Sequence, residues 1–521
     1  MPSPKELEEA IHLFLSLGGM LTVEENDETV LAGSDLRGEL NLRGNRLLLH
    51  LWSEQGTLVR RVLSIKKQSV DELTLQVERF GRSQPGTLAL WRGDRRRGTR
   101  AVGRVAFRAL FRRVLGQAFP DEQVESLRSS SDRERSFSAL YVRGTMGRRR
   151  ERWAIMGAGG GETQATLDGI LTYGLIWLDW SRRSRSSRHQ KTLTAGLPRF
   201  YQGLRLFLPA GRSRMTANRL AWLDSGPGGT RFELYEVEED QWRVERVDER
   251  DFGNVETHLV GAGRAEEMLR HLPEEARSIC ALAPDLIEAR VTGEAEVLSF
   301  RIRGLEFARL AGGRVLFGCD VPAPSTPLRA SAAGAGLRQL HEGNRPMLER
   351  LVREIAERRT PDAEDRTHPF YRLQAERWLE QLVAGDITRI DPQLDRRFVY
   401  SQVPAFAASD RGVIDILTVT RDGRLAVVEL KADEDIHLPL QALDYWLRVR
   451  WHHEREDFAR LGYFPGVALR PGSPQLYLVA PGLRFHPTGD VIRRYLSPEI
   501  EVIRVGLNEN WRAGLEVVFR Q

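Results

Sequence analysis

Residues 412–432 read GVIDILTVTRDGRLAVVELKA. Two runs of aliphatic and β-branched residues, 413–420 and 425–430, flank Arg421-Asp422-Gly423, and the Asp-Gly pair is a hairpin-turn signal. Runs this apolar belong to strands covered on both faces. Three charges are set into them: Asp415, between Val413, Ile414, Ile416 and Leu417, and then Glu429 and Lys431 where the second run ends. Side chains alternate along a strand, so Glu429 and Lys431 share a face. A buried charge is costly unless it is paired or bound to a metal. Two acids and a lysine converging there make sense if the acids hold a divalent cation. Such a cation polarises a phosphate oxygen and lowers the pKa of a bound water. The lysine would position that water or offset developing negative charge. Carboxylate oxygens favour Mg²⁺ or Mn²⁺ over zinc, and with only Cys280 and Cys319 in the chain there is neither a thiolate zinc site nor a disulfide framework.

Outward from this hairpin, HPFYRLQAERWLEQLV (368–383) reads as a helix with Phe370, Leu373, Trp378 and Leu382 spaced for burial, and FVYSQVPAF (398–406) as a strand. LPLQALDYWLRVRWHH (438–453) reads as a second helix and QLYLVAP (475–481) as a further strand. On that second helix Gln441, Tyr445, Arg448 and His452 form one polar stripe, with Leu440, Leu443 and Leu447 on the other side.

Over residues 369–490 the chain resembles the PD-(D/E)XK superfamily of restriction-endonuclease-like nucleases. Asp415 matches the motif's Asp, and Glu429-Leu430-Lys431 its E-x-K. The resemblance implies an αβββαβ core and phosphodiester hydrolysis with Mg²⁺ or Mn²⁺. It implies a further metal-binding acid on the preceding helix, Glu376, or Glu380 one turn on. It also gives Gln441 and Tyr445 as the Q-x-x-x-Y pair that some members carry. Ser409-Asp410-Arg411-Gly412 precedes the strand where some members place Pro-Asp. One geometric condition follows. A strict two-residue turn at Asp422-Gly423 would set Asp415 opposite Leu430 and send Glu429 to the wrong face. A longer loop around 421–424, or a bulge within 413–431, is therefore expected, with the two carboxylates within roughly 6 Å, the reach of one shared cation.

The net charge of +5 is uneven. Residues 1–50 carry 4 basic and 9 acidic side chains, residues 51–200 carry 29 and 14. The excess gathers in Arg95-Arg96-Arg97, in Arg148-Arg149-Arg150, and in Arg182, Arg183, Arg185, Arg188 and Lys191. Clustered cations attract phosphate backbones through counterion release, so Arg148, Arg149, Arg150, Arg182, Arg183 and, on the C-terminal helix, Arg448 are the candidate nucleic-acid contacts. Only five of the 77 basic residues are lysine, which makes Lys431 a conspicuous one.

The chain is read as a β-rich, multidomain α/β protein. Residues 1–95 form a small, mainly β domain. Residues 100–215 follow as helix, hairpin, helix and strand, with GTMGRRR (144–150) as the hairpin turn. That order suggests a second, degenerate copy of the nuclease-like core, with Trp153-Ala154-Ile155-Met156 where the E-x-K would lie. Its basic clusters suit holding DNA. A mixed α/β domain spans 216–325, a Pro/Ala/Ser/Gly-rich linker 322–336, and the nuclease domain 337–521. GAGGGET (157–163) departs from a phosphate loop at Glu162 and lacks the Lys-Ser/Thr, so it reads as a strand-to-helix turn.

The expected function is a metal-dependent DNA nuclease serving DNA repair or defence against foreign DNA. The alternatives are a non-catalytic DNA-binding scaffold that kept the fold, and an RNA nuclease. Met1 is followed by Lys5, Glu6, Glu8 and Glu9 rather than a basic stretch and an apolar run, and no apolar stretch is long enough to span a bilayer. A cytoplasmic location, no membrane partner, DNA as the partner and a homodimer as an open option complete the expectations.

Overall fold

The computed structural model describes residues 4–16, 21–25, 28–33, 36–43, 46–53, 56–69, 72–78, 85–92, 97–132, 134–189, 200–224, 229–238, 243–248, 257–292, 297–319, 337–407 and 410–521. The expected linker 322–336 lies outside them, as do Arg95, Arg96 and Lys191. The chain divides into two compact units: residues 1–256 with 407–411 and 487–498, and residues 257–406, 412–486 and 499–521. It is a β-rich, mixed α/β, multidomain protein. Among the described residues no helix is long and apolar enough to cross a membrane.

In the first unit, the helix Pro4–Ser16 buries Leu7, Ile11 and Phe14, a spacing of four and three that puts all three on one face. They share a core with an antiparallel sheet of seven strands: β1 Leu21–Glu25, β2 Glu28–Gly33, β3 Arg37–Arg43, β4 Arg46–Ser53, β5 Gly56–Gln68, β6 Glu72–Glu78 and β7 Gly86–Arg92, in the order β2-β1-β7-β6-β5-β4-β3.

A second sheet follows the helix Arg97–Ala118. It comprises β8 Gln123–Arg128, β9 Val142–Arg148, β10 Glu151–Gly157, β11 Phe200–Pro209, β12 Arg231–Glu238 and β13 Arg243–Arg246, in the order β13-β12-β11-β10-β9-β8. The helix Ile170–His189 connects β10 to its parallel neighbour β11. Three points differ from the sequence reading. Strand β8 was missed, because QVESLR has too few apolar residues to signal a strand. The turn assigned to GTMGRRR shrinks to Arg149-Arg150, since Arg148 pairs directly with Glu151. Gly144 belongs in the strand: a Cβ there would sit 2.0 Å from the Ser126 carbonyl oxygen, so the close pairing of β8 with β9 needs glycine. The boundary at 215/216 also falls inside this sheet, which runs on through β12 and β13.

In the second unit, β14 is Thr257–Leu259, and an antiparallel sheet of five strands runs in sequence order: β15 Ile287–Thr292, β16 Val297–Ile302, β17 Leu305–Ala311, β18 Arg314–Phe317 and β19 Arg338–Gln339. Its core takes in Leu348, Leu351, Val352 and Ile355 from the helix Arg345–Arg358. Residues 338–358 therefore pack with this sheet, although the sequence reading groups them with 359–521. The reason is periodic: the apolar face of that helix needs Phe300, Phe307 and Phe317 to cover it.

The last sheet holds β20 Leu394–Ala407, β21 Asp410–Thr420, β22 Leu425–Leu430, β23 Gln475–Pro481, β24 Val502–Leu507 and β25 Val517–Arg520, in the order β14-β20-β21-β22-β23-β24-β25. The helix Ala375–Gly385 precedes β20, and the helix Leu438–His453 joins β22 to its parallel neighbour β23. The single helix expected over 368–383 is interrupted. A short helix, Pro369–Arg372, ends before Gln374, whose φ of 47° breaks the spiral. The buried guanidinium of Arg359 braces the break, donating to Phe370 O (2.7 Å), Leu373 O (2.6 Å) and Gln374 O (3.1 Å).

Candidate active site on the C-terminal hairpin

The β21–β22 register decides which charges meet. Val419 pairs with Leu425 and Ile416 with Val428, so the next pair outward sets Asp415 against Glu429. The loop has three residues, Arg421–Gly423, closed by Thr420 N donating to Arg424 O at 2.8 Å. This is the longer loop that puts Asp415 and Glu429 on one face. Gly423 holds a φ of 88°, and a Cβ there would lie 2.3 Å from the Ala468 carbonyl oxygen.

Continued by one pair, the register of the hairpin brings Asp415 and Glu429 together on one face. Asp415 Oδ2 accepts the Leu430 N–H at 3.0 Å, and Oδ1 accepts from Arg377 Nη1 at 3.2 Å and Gln402 Nε2 at 3.4 Å. Glu429 is 3 % exposed, and its Oε2 is buried without a hydrogen-bond partner among the described residues. Burial, then the Asp415 charge, push the Glu429 carboxyl well above the usual carboxylate range. Lys431 Nζ stands 3.6 Å from Glu429, 3.7 Å from Glu376 and 3.7 Å from Asp435. Burial works against the lysine's charge, but Glu429, Glu376, Asp415 and Asp435 outweigh it and hold the ammonium above the ordinary lysine range.

Both helix acids reach the cluster, in different roles. Glu376 meets Lys431 and remains half exposed; burial raises its carboxyl above the ordinary range. Glu380 is 1 % exposed and fully engaged, accepting from Arg290 Nη1 (3.2 Å), Arg377 Nη1 (2.8 Å) and Gln402 Nε2 (2.8 Å). Arg290, Arg377, Gln402 and Asp435 were not singled out from the sequence. Arg377, three residues before Glu380 on a helix, could have been. Gln402 is placed by a φ of 55° in the middle of β20, which no sequence pattern announces.

The remaining candidates separate. Gln441 is half-buried, with its Oε1 unpartnered among the described residues and no bond to the acids. Tyr445 lies under the Arg448 guanidinium, 5.7 Å from it. Arg448 is a correction: it is buried and donates to Ala405 O at 3.1 Å, so it supports the fold and is closed to a phosphate. His452, on the same stripe, is buried against Asp457 at 2.7 Å. Arg148, Arg149 and Arg150 are exposed at the β9–β10 turn, and Arg183 is exposed beside Asp179. Arg182 is tied to Thr230 Oγ1 and Tyr201 O.

Among the described residues no three His, Cys, Asp or Glu side chains already converge on one point as ligands. The donor set nevertheless fits a divalent cation. Fully ionised, Glu376, Glu380, Asp415, Glu429 and Asp435 face Arg290, Arg377 and Lys431, which leaves two negative charges unmatched. Farther out, Glu288 pairs with Arg290, and Glu306 with Arg301 and Arg309; these two acids and two further arginines leave the count unchanged. Protons or one divalent cation would remove it, and the orphaned Glu429 Oε2 is the acceptor in want of a partner.

The sequence matches no known protein-family model and no curated protein.

Proposed function

We propose that the chain is a metal-dependent DNA nuclease of the PD-(D/E)XK type. The observation that carries this reading is the pairing of Asp415 with Glu429 across a three-residue loop, with Lys431 beside them and a charge deficit of two. The order of helix, three strands, helix and strand around them supports a restriction-endonuclease-like αβββαβ core. Asp415 and Glu429, with Glu376 at the more open edge, would hold Mg²⁺ or Mn²⁺, which would supply Lewis-acid activation of a phosphate and of a water. Lys431 is held charged by four carboxylates and offsets negative charge where the phosphodiester reacts. Glu380 anchors Arg290, Arg377 and Gln402, and so fixes the helix acids against the hairpin. The exposed Arg148–Arg150 cluster, on a sheet with the same strand order, suits a DNA-holding copy of the core.

Incubation of the purified chain with linear, circular and single-stranded DNA, and with RNA, in Mg²⁺, Mn²⁺ or EDTA tests this. Cation-dependent cleavage of DNA is expected. Binding without cleavage would return the chain to a non-catalytic scaffold, and cleavage of RNA alone would change the substrate.

A further inference from the structure

Asp415 has no free oxygen. Oδ2 is held by the Leu430 amide, and Oδ1 by Arg377 and Gln402. A cation ligated by Asp415 must therefore share the carboxylate with these donors. The Leu430 N–H is backbone within the hairpin and is fixed. Of the other two donors, Gln402 is neutral, and at 3.4 Å its contact costs little to keep or lose; Arg377 carries a full positive charge beside an incoming cation, and its Nη1 has a shorter bond to Glu380 to fall back on, 2.8 Å against 3.2 Å. Glu380 cannot follow it: Arg290 and Gln402 hold both its oxygens. Arg377 also has capacity to spare. A third of its side chain is open to solvent, and among the described residues its Nε and Nη2 have no hydrogen-bond partner in the protein.

We propose that Arg377 is a built-in counter-ion that a divalent cation displaces from Asp415, and that the released guanidinium grips substrate phosphate. The proposal rests on the nuclease reading above. A guanidinium and a metal ion sharing one carboxylate repel each other strongly in a partly desolvated site. Because coupling is reciprocal, a cation that loosens Arg377 is itself bound more weakly while Arg377 is in place. A planar fork with free N–H groups matches a phosphate's two oxygens. Arg377 thereby links cation occupancy to nucleic-acid affinity: the empty site keeps its arginine to itself, and the loaded site presents it. It acts as a positioning residue for the acids before loading and as a phosphate ligand after.

Calorimetric titration of the full chain with Mn²⁺ tests the first half, on the wild type, Arg377→Gln, Arg377→Lys and Asp415→Asn. Arg377→Gln is expected to bind Mn²⁺ on the order of tenfold more tightly than the wild type. Arg377→Lys, which keeps the charge, should stay near the wild-type affinity, and Asp415→Asn should lose binding. Affinity for a linear DNA duplex with and without Ca²⁺ tests the second half. The wild type should gain affinity when Ca²⁺ is added, and Arg377→Gln should lose most of that gain. Equal or weaker Mn²⁺ binding by Arg377→Gln, or equal tightening by both Arg377 variants, overturns the counter-ion role while leaving the metal site intact. A wild type that binds Mn²⁺ no better than Asp415→Asn takes down the nuclease reading, and this inference with it.

Discussion

The sheet β8–β13 and the sheet β20–β25 follow one plan, strand for strand, and carry opposite charges at its centre. In both, an antiparallel hairpin leads into a helix crossover, two parallel neighbours follow, and an antiparallel edge strand closes the order; β14, beyond β20, has no counterpart. Pro209 ends β11 and Pro481 ends β23, which brings Leu206 level with Leu478. Their partners on the neighbouring strand are Met156 and Glu429. Across the hairpin, Met156 faces Arg143 where Glu429 faces Asp415, and Ala158 stands at the level of Lys431. Arg143 is buried, donates to Ser130 O at 2.7 Å, and lies 4.6 Å from the Phe137 ring and 5.8 Å from Trp177. One sheet fills its central position with a cation among aromatic rings; the other leaves acids short of positive charge. Chemistry lives in such a position and not in the strand order that builds it.

That contrast can be broken most directly by mutating the acids. Asp415→Asn or Glu429→Gln should lower Mg²⁺-dependent DNA cleavage at least about a hundredfold with unchanged circular dichroism, as should EDTA on the wild type. Full activity in either variant removes the acids from the reaction. Arg143→Ala should instead act on folding, costing about 2 kcal/mol through lost ring contacts and a lost hydrogen bond. Its thermal midpoint reads this, and a midpoint equal to wild type would mean that Arg143 is no structural plug. Replacing Arg148, Arg149 and Arg150 with Ala should flatten the salt dependence of DNA binding by up to about 2–3 units of log K per log salt; an unchanged slope would detach the turn from phosphate.

The smallest effect sharpens the comparison through pH. Glu429 titrates above its ordinary range in the fold, so in the cation-free protein the folded state keeps a proton that the unfolded chain has released. Stability in EDTA should therefore fall as pH rises from the ordinary glutamate range through the raised folded value. Glu429→Gln removes that loss and should stabilise the cation-free protein by about 1 kcal/mol at neutral pH. Denaturant titrations across pH read both, and a flat profile for the wild type would contradict the buried, uncompensated acid.

The hairpin was legible in the sequence because alternation, the Asp-Gly turn and the three misplaced charges point to one geometry. The requirement for a loop longer than two residues followed from parity alone, and the structure has it. What was hidden depends on contacts distant in sequence. Arg290 comes from another sheet to reach Glu380, and the break at Gln374 is supported by Arg359, fifteen residues earlier. Arg448 looked like part of a polar stripe because periodicity shows which face a residue occupies but not whether that face is covered. Strand β8 was invisible because its pairing with β9 rests on backbone bonds and a glycine rather than on apolar side chains.

The loops of the two hairpins differ by one residue, Arg149-Arg150 against Arg421–Gly423. A substitution in either loop leaves the residue count as it is, but inserting or deleting one residue shifts every pair in the strand beyond it. In the C-terminal hairpin that would carry Glu429 and Lys431 through the sheet, away from Asp415, with each functional residue still encoded. The length of this loop is inherited information of the same rank as the acids themselves, and a single lost codon there would part Glu429 and Lys431 from Asp415 as surely as losing one of them.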